Sequence, residues 1–144
     1  MTDIVSKAIS KIKNEEATFI IIKEDKIIYQ DSGIGVSCIR KLMANQKDLL
    51  KEAYVVDKVI GKAASMLLIS CGVSHVHGLL MSESAVNILT QYHTEYSYDC
   101  LVPYILNRKE DGLCPLENCV KDTDDLVVAQ QNIEKTIKQL MANK

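Results

Sequence analysis

Apolar positions Ile4, Val5, Ala8, Ile9 and Ile12 recur with helical spacing over residues 3–14, while Lys7, Lys11 and Lys13 fall elsewhere on the turn. That pattern predicts a short amphipathic helix. Residues 17–22 and 26–30 form two β-branched and aromatic runs separated by Lys23-Glu24-Asp25, which predicts an antiparallel hairpin. After Ser32-Gly33-Ile34-Gly35 breaks the pattern, Val36, Ile39, Leu42 and Met43 predict a second helix over residues 36–44. A longer helix is expected over residues 56–71 from Val56, Val59, Ile60, Ala63, Ala64, Leu67, Leu68 and Cys71, with Gly72 as its stop. Gly61 inside such a helix costs about 1 kcal/mol relative to alanine, so a close approach by a backbone or ligand is expected there.

Residues 73–81 then predict a buried strand, and Ser82 caps a helix carrying Ala85, Val86, Ile88, Leu89 and Tyr92. A further strand is expected over residues 96–106, with Pro103 marking an edge or bulge. The polar turn at residues 107–112 leads into Leu113-Cys114-Pro115-Leu116-Glu117, where Pro115 suits the first position of a short helix. Residues 124–141 form the last helix, with Leu126, Val127, Ile133, Ile137, Leu140 and Met141 on a broad stripe. Helix-strand alternation in the second half calls for right-handed crossovers and helices packed over a mixed sheet.

Composition narrows the classes. The 144 residues are 47% apolar and 25% charged, which suits one soluble domain that needs no disulfide or structural metal. A net charge of −2 argues against an extended nucleic-acid or membrane surface. The N-terminal residues lack the apolar core of a signal peptide, and no run approaches the ~18 residues that span a bilayer. Cys38, Cys71, Cys100, Cys114 and Cys119 are scattered without the spacing of a disulfide scaffold, and a cytoplasmic protein is expected.

The strings Val56-Asp57-Lys58-Val59-Ile60-Gly61-Lys62-Ala63-Ala64, Gly78-Leu79-Leu80-Met81-Ser82-Glu83-Ser84-Ala85 and Asn107-Arg108-Lys109-Glu110-Asp111-Gly112-Leu113-Cys114-Pro115-Leu116-Glu117 resemble those of an uncharacterised prokaryotic domain-of-unknown-function family. The family is placed in the cytidine-deaminase-like superfamily. The resemblance implies an α/β, three-layer cytidine-deaminase-like fold: a mixed sheet with an N-terminal β-hairpin and helices on both faces. Zinc deaminases place H-x-E or C-x-E at the start of one helix and P-C-x-x-C at the start of the next. At the corresponding places this chain reads Gly61-Lys62-Ala63 and Ser82-Glu83-Ser84-Ala85, so the ligand set is missing and zinc-dependent deamination is not expected.

Without a metal, the chemistry left at such a cleft is that of the helix starts expected near Val56 and Ser82, whose unpaired N–H groups and partial positive charge favour an anion or polarised carbonyl. Asp57, Lys58, Gly61 and Lys62 surround the first start, and Ser82 and Glu83 the second. Lys58 and Lys62, four apart on one helical face, form a candidate cation clamp; solvated surface lysines are the alternative. Asp57 suits either proton transfer or an N-cap. Arg108, beside Asn107, offers a guanidinium fork for a carboxylate or phosphate, and an exposed turn residue is the competing reading. Cys114 at a helix start is a candidate nucleophile, with Glu117 as acid/base or as a cap. His75-x-His77 and Cys114-x4-Cys119 are weak metal signatures, and packed or half-exposed histidines are favoured. Gly33-Ile34-Gly35 matches no phosphate loop.

The expected function is therefore binding of a small anionic or nucleotide-like metabolite in the cleft at the two helix starts, without a cofactor. The alternatives are a metal-independent enzyme with Cys114 as nucleophile and Asp57 or Glu117 as proton carrier, or a self-association module using the C-terminal helix or a sheet edge.

Overall fold

A computed structural model describes residues 2–107 and 109–142. Thr2 opens the first helix, α1 (Asp3–Lys13), by accepting the Val5 N–H at 3.4 Å. Strands β1 (Phe19–Lys23) and β2 (Lys26–Asp31) pair antiparallel. Their turn residues Glu24 and Asp25 both have left-handed φ, 51° and 59°, the hand that matches strand twist in a two-residue hairpin. Helix α2 (Ser37–Asn45) and a short 3-10 turn (Lys47–Leu49) follow. The remaining order is β3 (Tyr54–Ile60), α3 (Lys62–Ser70), β4 (His75–Ser82), α4 (Glu83–Gln91), β5 (Glu95–Val102), α5 (Pro115–Val120) and α6 (Leu126–Ala142).

The five strands form one mixed sheet in the order β2-β1-β3-β4-β5, with β1 antiparallel to its neighbours and β3, β4 and β5 parallel. Helices cover both faces. On one side α1 packs Val5, Ala8, Ile9 and Ile12 against Ile20, Ile22 and Val56. On the other, residues of α2 to α6 such as Leu42, Leu67, Ile88, Val120 and Ile133 meet Phe19, Ile21, Val55 and Val76.

The structure corrects the expected helix over residues 56–71: its first part is strand β3. Val55 and Val56 are both fully buried, because a central strand covered on both faces is apolar on both. Such a run carries no alternation, and its apolar positions mimic helical spacing. Gly61 consequently sits at the N-cap of α3, in extended conformation, rather than inside a helix. The final strand also ends at Val102, before Pro103, and β5 pairs only with β4 at the sheet edge. No helix among the described residues is long and apolar enough to cross a membrane.

Candidate functional site

Helices α3 and α4 begin at the C-terminal ends of the adjacent parallel strands β3 and β4, where open α/β sheets commonly place their sites. The start of α3 already holds an oxyanion. The Lys62 N–H donates to Glu117 Oε1 at 2.7 Å and the Ala63 N–H to Glu117 Oε2 at 2.8 Å. Glu117 thus serves as a cap, for another helix than its own. Gly61 explains how the two segments meet, since a Cβ at residue 61 would overlap the Glu117 carboxylate. Burial pushes the Glu117 carboxyl up, against the two N–H groups and the Lys62 charge, which favour its ionised form. Lys62 is itself buried, with Nζ 3.0 Å from Asp124 Oδ1 and donating to the Lys121 carbonyl at 3.4 Å.

At the start of α4, Ser82 is fully buried, and its Oγ accepts the Ala85 N–H at 3.1 Å and lies 3.0 Å from Ser84 Oγ. Glu83 follows it and is exposed. The geometry behind the Lys58 and Lys62 clamp is corrected: Lys58 is an exposed residue of β3 and Lys62 a buried one of α3, so no helical face joins them.

Asp57 lies within β3, so it is not an N-cap. It stands beside Phe19 of β1 and Gly78 of β4, and burial pushes its carboxyl up to about 8 despite the Lys58 and Val59 N–H groups. Burial, and after it the Asp31 and Asp57 carboxylates, raise the Cys38 thiol. Asp31 is its opposite in charge state. The Tyr29 hydroxyl donates to Asp31 Oδ2 at 2.6 Å, the Gly33 N–H to Oδ1 at 3.0 Å and Lys41 Nζ to Oδ2 at 3.1 Å. These donors, the Tyr29 hydroxyl foremost, bring the Asp31 carboxyl down to about 2. Sequence reasoning missed this group, although Gly33 beside an acidic strand end was its signal: the loop is tight enough that a Cβ at residue 33 would meet both Cys38 and Ser37 at 2.8 Å.

Cys114 is the half-buried N-cap of the six-residue α5, with Pro115 at the first helical position. Its N–H donates to the Ile105 carbonyl at 2.9 Å. Asn107 closes its own turn, donating from Nδ2 to Asp111 Oδ1 at 2.8 Å and accepting the Asp111 N–H at Oδ1 at 3.3 Å. Arg108 lies outside the described residues.

A second polar cluster lies on the α1 side of the sheet. His75 and His77 share one face of β4, and Ser97 and Asp99 share the same face of β5. Ser97 Oγ is 2.8 Å from His75 Nε2 and 2.6 Å from His77 Nδ1, while His77 Nε2 is 3.0 Å from Asp99 Oδ1. His77 is fully buried, and His75 stacks on Tyr54 with ring centroids 4.2 Å apart. Among the described residues, no group of three or more His, Cys, Asp or Glu side chains is arranged to hold a metal ion.

The fold and these sites define an α/β protein with an open mixed sheet and two separate polar clusters. The chain belongs to the family described as TM1506, domain of unknown function (DUF1893), whose model matches residues 7–137. A solved structure with the same fold is the crystal structure of a DUF1893 family protein (TM1506) from Thermotoga maritima. It has a TM-score of 0.80 and 22% identity, over 96% of this chain and 91% of that one. No curated protein matches the chain.

Proposed function

We propose that this chain is a zinc-free protein of cytidine-deaminase-like fold that binds a small anionic or nucleotide-like metabolite where α3 and α4 begin, in competition with its own Glu117. The observation that carries this reading is the grip of the Lys62 and Ala63 N–H groups on the Glu117 carboxylate. Backbone donors and helix dipole at that point select an oxyanion, as they do where phosphates bind helix starts. Burial opposes the charge of the present occupant, and the two N–H donors offset it. Hydrolytic deamination is outside this reading, because Gly61-Lys62-Ala63 and Ser82-Glu83-Ser84-Ala85 supply neither thiolate nor imidazole at the two helix starts. Five free cysteines fit a cytoplasmic setting.

Catalysis by Cys114 has less support, since both Glu117 oxygens are engaged at α3 and Asp57 belongs to β3. Self-association is favoured by one observation: β5 has an unpaired edge, with Tyr98, Leu101, Tyr104 and Leu106 exposed on or just beyond it. Two such edges can pair about a two-fold axis. Sedimentation of the full chain beside a Leu101→Lys variant tests that reading, which fails if both are monomers at every concentration.

The binding reading is tested by titrating inorganic phosphate and nucleoside monophosphates into the full chain and into Glu117→Gln, with thermal midpoint and calorimetry as readouts. Both chains are expected to bind, with the variant roughly tenfold tighter because its occupant carries no charge, a difference of about 1.4 kcal/mol. The reading falls if neither chain is stabilised by any of these anions.

A further inference from the structure

We propose that Ser97 is a nucleophile activated by His77 and positioned through Asp99, and that this site hydrolyses small carboxylic esters. The site lies on the α1 side of the sheet and is independent of the helix starts discussed above. Its basis is the arrangement that defines an activated nucleophile: a hydroxyl within hydrogen-bond reach of a base, and the base oriented by a third group.

The distances fit an assignment of protons in which His77 is the base. An ionised Asp99 only accepts, so His77 Nε2 carries the hydrogen of the 3.0 Å bond. Neutral His77 then accepts at Nδ1, and the Ser97 hydroxyl donates to it at 2.6 Å. In the same assignment His75 Nε2 donates to Ser97 Oγ, at 2.8 Å. Burial lowers the His75 pKa, against the Glu95 carboxylate 3.7 Å from its Nδ1. A hydroxyl that gives its proton to one imidazole while receiving one from another is primed to develop negative charge on oxygen.

Two further features support a site rather than a buried polar contact alone. Lys13 Nζ of α1 lies 3.5 Å from Asp99 Oδ2, an ion pair open to water. His75, bonded to Ser97, and Tyr54, stacked on His75, line a neighbouring groove of about 620 Å³ whose wall mixes Ile4, Val5 and Ile22 with Lys23, Glu24 and Glu52.

In the reaction, Ser97 Oγ bonds to the ester carbonyl carbon while its proton passes to His77 Nδ1. Asp99, at Nε2–H, stabilises the imidazolium. The carbon–oxygen bond to the alcohol breaks and the alcohol leaves with the proton from His77. Water then attacks the acyl-Ser97 ester, His77 takes its proton and returns it to Oγ, and the carboxylic acid is released. No oxidant, reductant or metal enters the balance.

The test is labelling of the full native chain by a fluorophosphonate, with the adduct located by tandem mass spectrometry, together with hydrolysis of p-nitrophenyl butyrate. One adduct on Ser97 is expected, abolished by prior heat denaturation, and butyrate hydrolysis is expected to vanish in Ser97→Ala while that variant still unfolds cooperatively above the assay temperature. His77→Asn is expected to slow labelling about 100-fold or more. Should that variant fail to fold, the exposed Asp99→Asn carries the test. It should slow labelling and move its pH midpoint downward, since the imidazole loses its carboxylate while His75, Tyr54, Glu95 and Lys13 remain. The proposal is overturned if native Ser97 stays unlabelled, if Asp99→Asn labels with wild-type rate and pH profile, or if hydrolysis persists in Ser97→Ala.

Discussion

The backbone of Gly61 and the carboxylate of Glu117 lie so close that a Cβ at residue 61 would occupy the space of Oε1. Gly61→Ala must therefore expel the carboxylate, strain the N-cap, or both. A loss of about 2–3 kcal/mol is expected, from overpacking plus two broken hydrogen bonds. Urea denaturation measures it, and the same substitution made in a Glu117→Ala background should cost clearly less, because the two sites are coupled. Equal costs in both backgrounds would separate Gly61 from Glu117.

Asp57 sets a pH dependence of opposite sign to that of a salt-bridged acid. Its carboxyl is raised from 3.8 to about 8 by burial, so the folded chain binds the proton more tightly than the unfolded one. The stabilisation is complete below about 4 and is lost as pH rises through about 8. Asp57→Asn removes this titration, and its stability relative to wild type should improve from pH 5 to pH 9 by about 2 kcal/mol or more. Chemical denaturation at several pH values checks this; parallel profiles for the two chains would contradict it.

Asp31 behaves in the ordinary direction. Its carboxyl is held at about 2, first by the Tyr29 hydroxyl, so the stability it contributes is present above the unfolded value and lost as pH falls toward 2. Tyr29→Phe removes the principal donor and should move the Asp31 pKa up toward ~4. Carboxyl carbon shifts followed by NMR titration report this directly. A value unmoved in Tyr29→Phe would assign the effect to Lys41 and Gly33.

Arg40 ties α2 to α6 through a two-pronged pair, with Nε and Nη2 each 2.8 Å from a Glu134 oxygen. Both side chains are partly in water, 34% and 41% exposed, so the geometry is good but screening is strong. Arg40→Lys, which cannot reproduce the fork, should cost about 0.5–1 kcal/mol, and the cost should shrink at high salt. A thermal melt series in sodium chloride measures both.

Short-range features were legible before the fold. The hairpin was visible in two β-branched runs and a three-residue break, and Ser82 as a cap and Pro115 as a first helical residue follow from local backbone chemistry. The one misread element, residues 56–60, is the strand covered on both faces, where apolar side chains lie on each side and no period distinguishes strand from helix. Gly61 carried a real signal of close approach, but not the identity of the neighbour.

What only the tertiary structure decided is every relationship between residues far apart in the chain. Glu117 reaches Lys62 across 55 positions, and His77 reaches Asp99 across 22, through the parallel register of β4 and β5. Local propensity acts over a turn or two of chain, whereas these contacts depend on strand order, register and the side of the sheet on which each helix packs. Outside residues 56–60 and the end of the last strand, the sequence by itself determined which segments coil, extend or turn, and the packing of those segments decided which charges and hydroxyls meet.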